Sequence, residues 1–362
     1  MKLFGSGISA VAVATQLMGV SGSPTSNGGA DTSNNVLLAA GQCAVPNRQR
    51  PALVLEHNFA DPSLVYDPID CSYYSFSTAN GKYSVQMAKR NDATLKWDIL
   101  DIDAFPNLGA WAANGNIWAP DVQRIGDNSW AMYYSAPSRN DHPEGQGRRC
   151  VGVAMAKSVR GPFTGLPDPL GCWPAQGGSI DAAGFYDPKT NTRWVTYKID
   201  GNAVGPSGGP CGNEPSNGQQ PQSTPIMLQQ VGLDGFTKIG QPTQILDRSQ
   251  YDGPLIEAPQ IVYEGGLYIL FFSSNCYSTK WYDVSYATAT SVKGPYTKAA
   301  VPLLQSPDFA GLVGPGGASS NGAGYLVWHS WSGQSGNSGT GSRYMWEGNY
   351  RVQNGVLSMV GR

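Results

Sequence analysis

One pattern recurs along the chain at intervals of about sixty residues, and it constrains the fold more than any other feature. "FADPSLVYDPIDCSYYSFS" begins at Phe59, "IWAPDVQRIGDNSWAMYYS" at Ile117, "IDAAGFYDPKTNTRWVTYK" at Ile180 and "IEAPQIVYEGGLYILFFSS" at Ile256. Each copy has a distinctive residue followed by Ala or Pro, then an apolar strand, a polar turn and an aromatic-rich strand. Aligned this way, Asp61, Trp118, Asp181 and Glu257 share one position, with spacings of 57, 63 and 76 residues. A weaker fifth copy, "GPGGASSNGAGYLVWHSW" from Gly314, keeps the turn and the aromatic strand but not the acidic start. The remainder repeats too: "VGVAMAKSVRGPFT" from Val151 parallels "DVSYATATSVKGPYT" from Asp283.

Each unit therefore supplies about four short strands with Gly/Pro/Asn turns and no helical periodicity. Radial repetition of such units gives an all-β chain, a five-bladed β-propeller with four antiparallel strands per blade. The composition agrees: Gly 46, Tyr 18, Trp 10 and only 14% charged residues. A net charge of −2 gives no reason to expect nucleic acid or an anionic membrane as a partner, and no apolar run is long enough to span a bilayer. Nothing in the sequence demands an oligomer, and a monomer is expected.

Residues 1–22 read as a secretory signal peptide, 23–50 as a flexible Ser/Gly/Asn-rich leader and 51–362 as the propeller. The protein is thus expected outside the cell. Six cysteines, an even number with no zinc spacing, allow up to three disulfides, and Cys150–Cys172 is the favoured short link. Two polar loops, 135–150 and 199–224, read either as solvated surface or as walls of a cleft.

In a propeller the first strand of each blade lines the axis, so equivalent positions converge on one mouth. Asp61, Asp181 and Glu257 should meet there, although they lie 120 and 76 residues apart in sequence. Crowded carboxylates cannot all ionise freely. A protonated carboxyl beside an ionised one is the equipment for cleaving a glycosidic bond: the acid protonates the leaving oxygen, and the base activates water.

At these residues the chain resembles glycoside hydrolase family 43, through "FADPS", "WAPD", "SID", "YKIDGN", "TPI" and "IEAP" taken in order. The resemblance implies a five-bladed, configuration-inverting glycosidase acting on arabinose- or xylose-containing plant cell-wall polysaccharide. By motif it implies Asp61 as general base, Asp181 as pKa modulator and Glu257 as general acid. It further implies that Trp118 and Arg343 contact substrate, and that His329 does so or contributes to a water-coordinated ion. No cofactor is required for the chemistry, though a structural calcium near the axis is part of the expectation. Asp121 reads as structural.

Three departures bear on specificity. "SIDAAGF" lacks the Pro common after the Asp, Gly317 stands where arabinan-cleaving members often carry His, and Ala60 precedes Asp61 where several endo-acting members have His. The expected activity is therefore an exo-acting α-L-arabinofuranosidase. A β-xylosidase, an endo-1,5-α-L-arabinanase and a non-catalytic carbohydrate-binding propeller are the alternatives. The related fructoside-cleaving propellers carry an Arg-Asp-Pro that is absent here.

Overall fold

The computed structural model describes residues 46–139, 147–332 and 341–362. The expected signal peptide, nearly all of the leader and part of the 135–150 loop lie outside the described residues. Four blades are four-stranded antiparallel sheets formed from consecutive strands. Blade 1 runs from Ser63–Asp67 to Lys96–Leu100, and blade 2 from Trp118–Gly126 to Thr164–Gly165. Blade 3 runs from Ser179–Asp187 to Lys238–Leu246, and blade 4 from Ile256–Glu264 to Thr297–Lys298.

Blade 5 has the expected four strands, adds a short fifth, and closes the ring. Its long third strand, Arg343–Gln353, pairs along its first half with the N-terminal Ala52–Leu55 and along its second half with Val356–Met359. The sheet therefore has five strands. Buried Glu347 locks the join: it accepts from Trp97 of blade 1 and Tyr325 of blade 5 and pairs with Arg48. The first strands of neighbouring blades contact one another in a closed ring.

The aromatic second strands explain how the blades adhere. Among the described residues, five apolar clusters lie between blades. Between blades 1 and 2, for example, Phe76, Met87, Trp111, Trp130 and Tyr134 pack together. Each such side chain fully buried contributes roughly 1.5–3 kcal/mol. Among the described residues there is no α-helix, only three short 3-10 turns, and no helix is long and apolar enough to cross a membrane.

Near the start of each first strand one residue is left-handed: Asp61 (φ 54°), Ala119 (42°), Asp181 (58°), Ala258 (51°) and Gly317 (57°). In blades 2 to 5 the pairing register shifts there, as in a β-bulge. This corrects the sequence alignment by one residue. Asp61 and Asp181 are equivalent to Ala119, Ala258 and Gly317, while Trp118 and Glu257 sit one place earlier. Alignment on side-chain type matched unlike backbone positions, because the left-handed kink is shared by Asp, Ala and Gly alike. The five kinks ring an axial cavity of about 50 Å³.

The kinked amides follow a rule. Ala119 N–H donates to Thr78 of blade 1, Asp181 N–H to Ser135 of blade 2 and Gly317 N–H to Ser273 of blade 4. Asp61 N–H donates to Nδ1 of His329 in blade 5. Each acceptor stands at the end of the preceding blade's second strand. The same place in blade 3, opposite Ile180, is held by Lys198. Ala258 N–H goes instead to Asp181 Oδ2 at 2.9 Å.

Candidate active site

A pocket of about 450 Å³ opens at the axis, lined by residues of all five blades, Asp61, Asp181 and Glu257 among them. The convergence expected from the repeat is thus present, with Asp61 and Asp181 on kinks and Glu257 just before one.

The three carboxylates have different surroundings. Asp61 Oδ1 accepts from Arg343 Nη1 at 3.1 Å, and Oδ2 accepts from Thr78 Oγ1 at 2.6 Å. Burial works to raise its pKa, but the Arg343 charge and the hydrogen bonds outweigh burial and hold it below the ordinary carboxylate value. Asp181 is pushed up to about 8, first by burial and then by the charge of Glu257, with Lys198 opposing. Glu257 is held at both oxygens: Lys198 Nζ lies 2.9 Å from Oε2, and Tyr282 donates its hydroxyl to Oε1 at 2.9 Å. Burial and the nearby carboxylates raise the Tyr282 pKa well above normal, so its phenol stays neutral and able to donate. The arrangement provides one ionised carboxylate, Asp61, and, lining the same pocket, an Asp181 carboxyl that retains its proton beside Glu257.

The remaining sequence candidates fall as follows. Trp118 lines the pocket, 38% exposed, with the Arg149 guanidinium 3.3 Å above its ring. One ring face is therefore covered, and only the other remains for a sugar. Arg343 lines the pocket pinned to Asp61. His329 is fully buried behind Asp61, stacked on Tyr282 and outside the pocket lining, so it offers a substrate no surface. Asp121 lines the axial cavity and not the pocket, accepting Gly184 N–H at 2.8 Å and bracing blade 2 against blade 3.

His329 also does not fit as a metal ligand. Burial, then the charge of Arg343, pushes its pKa to about 3, so the ring is neutral. Asp61 N–H occupies the Nδ1 lone pair, which places the ring proton on Nε2, a buried atom with no hydrogen-bond partner among the described residues. A protonated nitrogen donates and does not ligate a cation. Among the described residues no three His, Cys, Asp or Glu side chains group as a metal set.

The 199–224 loop is a wall of the cleft. Asp200, Asn202, Ala203, Pro210 and Cys211 line the pocket, and the Cys211–Cys276 disulfide ties this loop to blade 4 beside Tyr277. The expected Cys150–Cys172 bridge is also present. Sequence reasoning missed Lys198, Asp200, Tyr282, Thr78 and Arg149. Lys198 and Asp200 lie within "YKIDGN", so a signal existed for them; the other three have none.

The model of the glycosyl hydrolases family 43 matches residues 51–347, and the chain belongs to that family. The family is one of inverting glycoside hydrolases. A crystal structure of a thermostable family-43 glycoside hydrolase superposes with a TM-score of 0.69 at 23% identity, covering 86% of this chain and 96% of that one. Among curated relatives, the Extracellular endo-alpha-(1->5)-L-arabinanase 2 of Bacillus subtilis (strain 168) is 30% identical over 128 residues, 32% of this chain and 24% of that protein. The matched region thus spans about a quarter of that relative's length. A Beta-D-galactofuranosidase of Aspergillus niger is 23% identical over 273 residues, 70% of this chain and 67% of its own.

Proposed function

We propose that this protein is a secreted, exo-acting α-L-arabinofuranosidase that releases terminal arabinose from plant cell-wall polysaccharide with inversion. The observation that carries this reading is an ionised Asp61, a proton-retaining Asp181 and Glu257 brought together in one pocket lined by all five blades. In the proposed mechanism Asp61 takes a proton from water, whose oxygen bonds to the anomeric carbon. The bond from that carbon to the leaving oxygen breaks, and Glu257 gives this oxygen its proton. Asp181 holds the Glu257 region through the Ala258 amide and limits the negative charge around the acid. The tautomer of His329 gives no support to the calcium expected near the axis.

An encircling wall suits a chain end better than a chain interior, and this supports exo action. The relatives also favour a furanoside. α-L-Arabinofuranose and β-D-galactofuranose share the same ring configuration and differ in the substituent at C4. Names of relatives that include "Extracellular", together with the disulfides, support secretion.

The deciding experiment is a panel of aryl α-L-arabinofuranoside, β-D-xyloside and β-D-galactofuranoside with linear arabinan and arabinoxylan, followed by NMR of the first-formed sugar. Arabinose of inverted configuration, released without internal cuts in arabinan, is the expected result. Xylose alone, or oligosaccharides from arabinan, would replace this reading with the xylosidase or the endo-arabinanase.

Trp118→Ala is expected to raise KM about 10-fold with a smaller change in kcat, since one stacking face is lost and the catalytic carboxylates are untouched. Michaelis kinetics on the released sugar's aryl glycoside checks it, and an unchanged KM would remove Trp118 from the sugar subsite.

A further inference from the structure

We propose that Lys198 is the positioning residue for the acid, orienting Glu257 and stabilising the carboxylate that remains once its proton has passed to the leaving oxygen. This rests on the assignment of Glu257 given above.

The fivefold pattern isolates Lys198. Thr78, Ser135, Ser273 and His329 each stand at the end of a second strand and accept the kinked amide of the next blade. That duty requires a lone pair. An ammonium has three donors and no acceptor, so Lys198 cannot perform it. The architecture asks for Ser or Thr here, and the displaced Ala258 N–H is taken over by Asp181. The lysine is moreover fully buried, which is costly unless its charge is met. It is met twice, by Asp200 Oδ1 and Glu257 Oε2, each at 2.9 Å.

The groups facing Glu257 define what this cation does. Asp181 and Asp200 come from blade 3 and its loop, and Tyr282 from its own blade. Asp61, with Arg343 bound to it, lines the same pocket. Lys198 is the one cation in direct contact with Glu257 among the described residues. When the glycosidic bond breaks, Glu257 passes from neutral to negative. Lys198 already lies against the oxygen that takes this charge, so the interaction strengthens in the transition state and needs no rearrangement. Tyr282 fixes the other oxygen and leaves the carboxyl one orientation. A leaving group that departs without a proton draws no benefit from this contact.

The test compares Lys198→Met and Lys198→Thr with Glu257→Gln on two aryl glycosides of the same sugar, one releasing 2,4-dinitrophenol and the other phenol. Threonine occupies the equivalent place in blade 1, so the second variant suits the fold. Both Lys198 variants are expected to lose about 10²-fold in kcat on the phenyl glycoside and less than about 5-fold on the dinitrophenyl glycoside. The alkaline limb of kcat/KM on the phenyl glycoside is expected to move to higher pH, because a positive charge has gone. Equal losses on both substrates with an unmoved limb would overturn the proposal and leave Lys198 a structural residue. If Glu257→Gln itself shows no leaving-group dependence, the acid assignment fails, and this proposal with it. If Glu257→Gln shows it and the Lys198 variants do not, the failure belongs to Lys198 alone.

Discussion

Asp61→Asn is expected to lower kcat by about 10³-fold or more on activated and unactivated glycosides alike. Leaving-group quality cannot compensate, because every substrate needs its water deprotonated. The surroundings of Asp61 suit a base: Arg343 and Thr78 hold both oxygens and keep the carboxyl ionised at pH values where an ordinary Asp begins to take a proton. The substitution is also compatible with the fold. The Asn carbonyl can accept from Arg343, while its amide faces Thr78, whose hydroxyl oxygen already accepts Ala119 N–H and has a second lone pair. Asn tolerates the left-handed backbone at this position as Asp does. Folding is therefore expected to be near normal, and circular dichroism separates lost chemistry from lost structure. Asp61→Ala adds a positive control. Azide can enter the vacated space and attack the anomeric carbon directly, forming a C–N bond as the C–O bond breaks, with no proton for a base to remove. Recovery of turnover with a glycosyl azide of inverted configuration would support the base role. Recovery with retained configuration, or a loss in Asp61→Asn confined to poor leaving groups, would count against it.

Much of this arrangement is written in the sequence, and the part that is not has a physical reason. The propeller is legible because each blade repeats one amphipathic unit, and aromatic second strands such as "SWAMYYS" and "LYILFFSS" have nowhere to pack except between neighbouring blades. The meeting of Asp61, Asp181 and Glu257 follows from that repeat. The one-residue offset does not, because the left-handed kink is a backbone state that Asp, Ala and Gly all adopt here. Nor does ring closure by Ala52–Leu55, four residues with no pattern of their own, which take their place only because the strand Arg343–Gln353 has a free edge. Tyr282 and Arg149 are missed for a similar reason: each belongs to a loop or strand end that reaches the site only after the blades have docked.

Asp181→Asn is expected to stabilise the protein, increasingly so as pH rises from about 4 to 8, while lowering activity. Folded Asp181 keeps its proton up to about pH 8, whereas the ordinary carboxyl value is 3.8. Burial is the first cause and the neighbouring Glu257 charge the second. Between those two values the folded state binds more protons than the unfolded chain. Native stability therefore falls with rising pH across this window, and the penalty is complete above the folded value. Asparagine carries no charge in either state and can still accept Ala258 N–H, so it escapes the penalty and keeps the contact. The difference in Tm between variant and native protein should be near zero below pH 4 and largest above pH 8, where a few kcal/mol corresponds to roughly several degrees. Thermal melts at intervals across that range measure it. A difference independent of pH would mean that Asp181 titrates normally, and the charge-limiting role proposed for it would then have no basis. The activity loss is expected to grow as pH rises through about 8, since asparagine matches the neutral folded Asp181 below that value and cannot take up the negative charge that native Asp181 gains beside Glu257 above it. Stability and activity thus respond in opposite directions to one substitution, as expected where a carboxyl is held in an unfavourable setting for the sake of its neighbour.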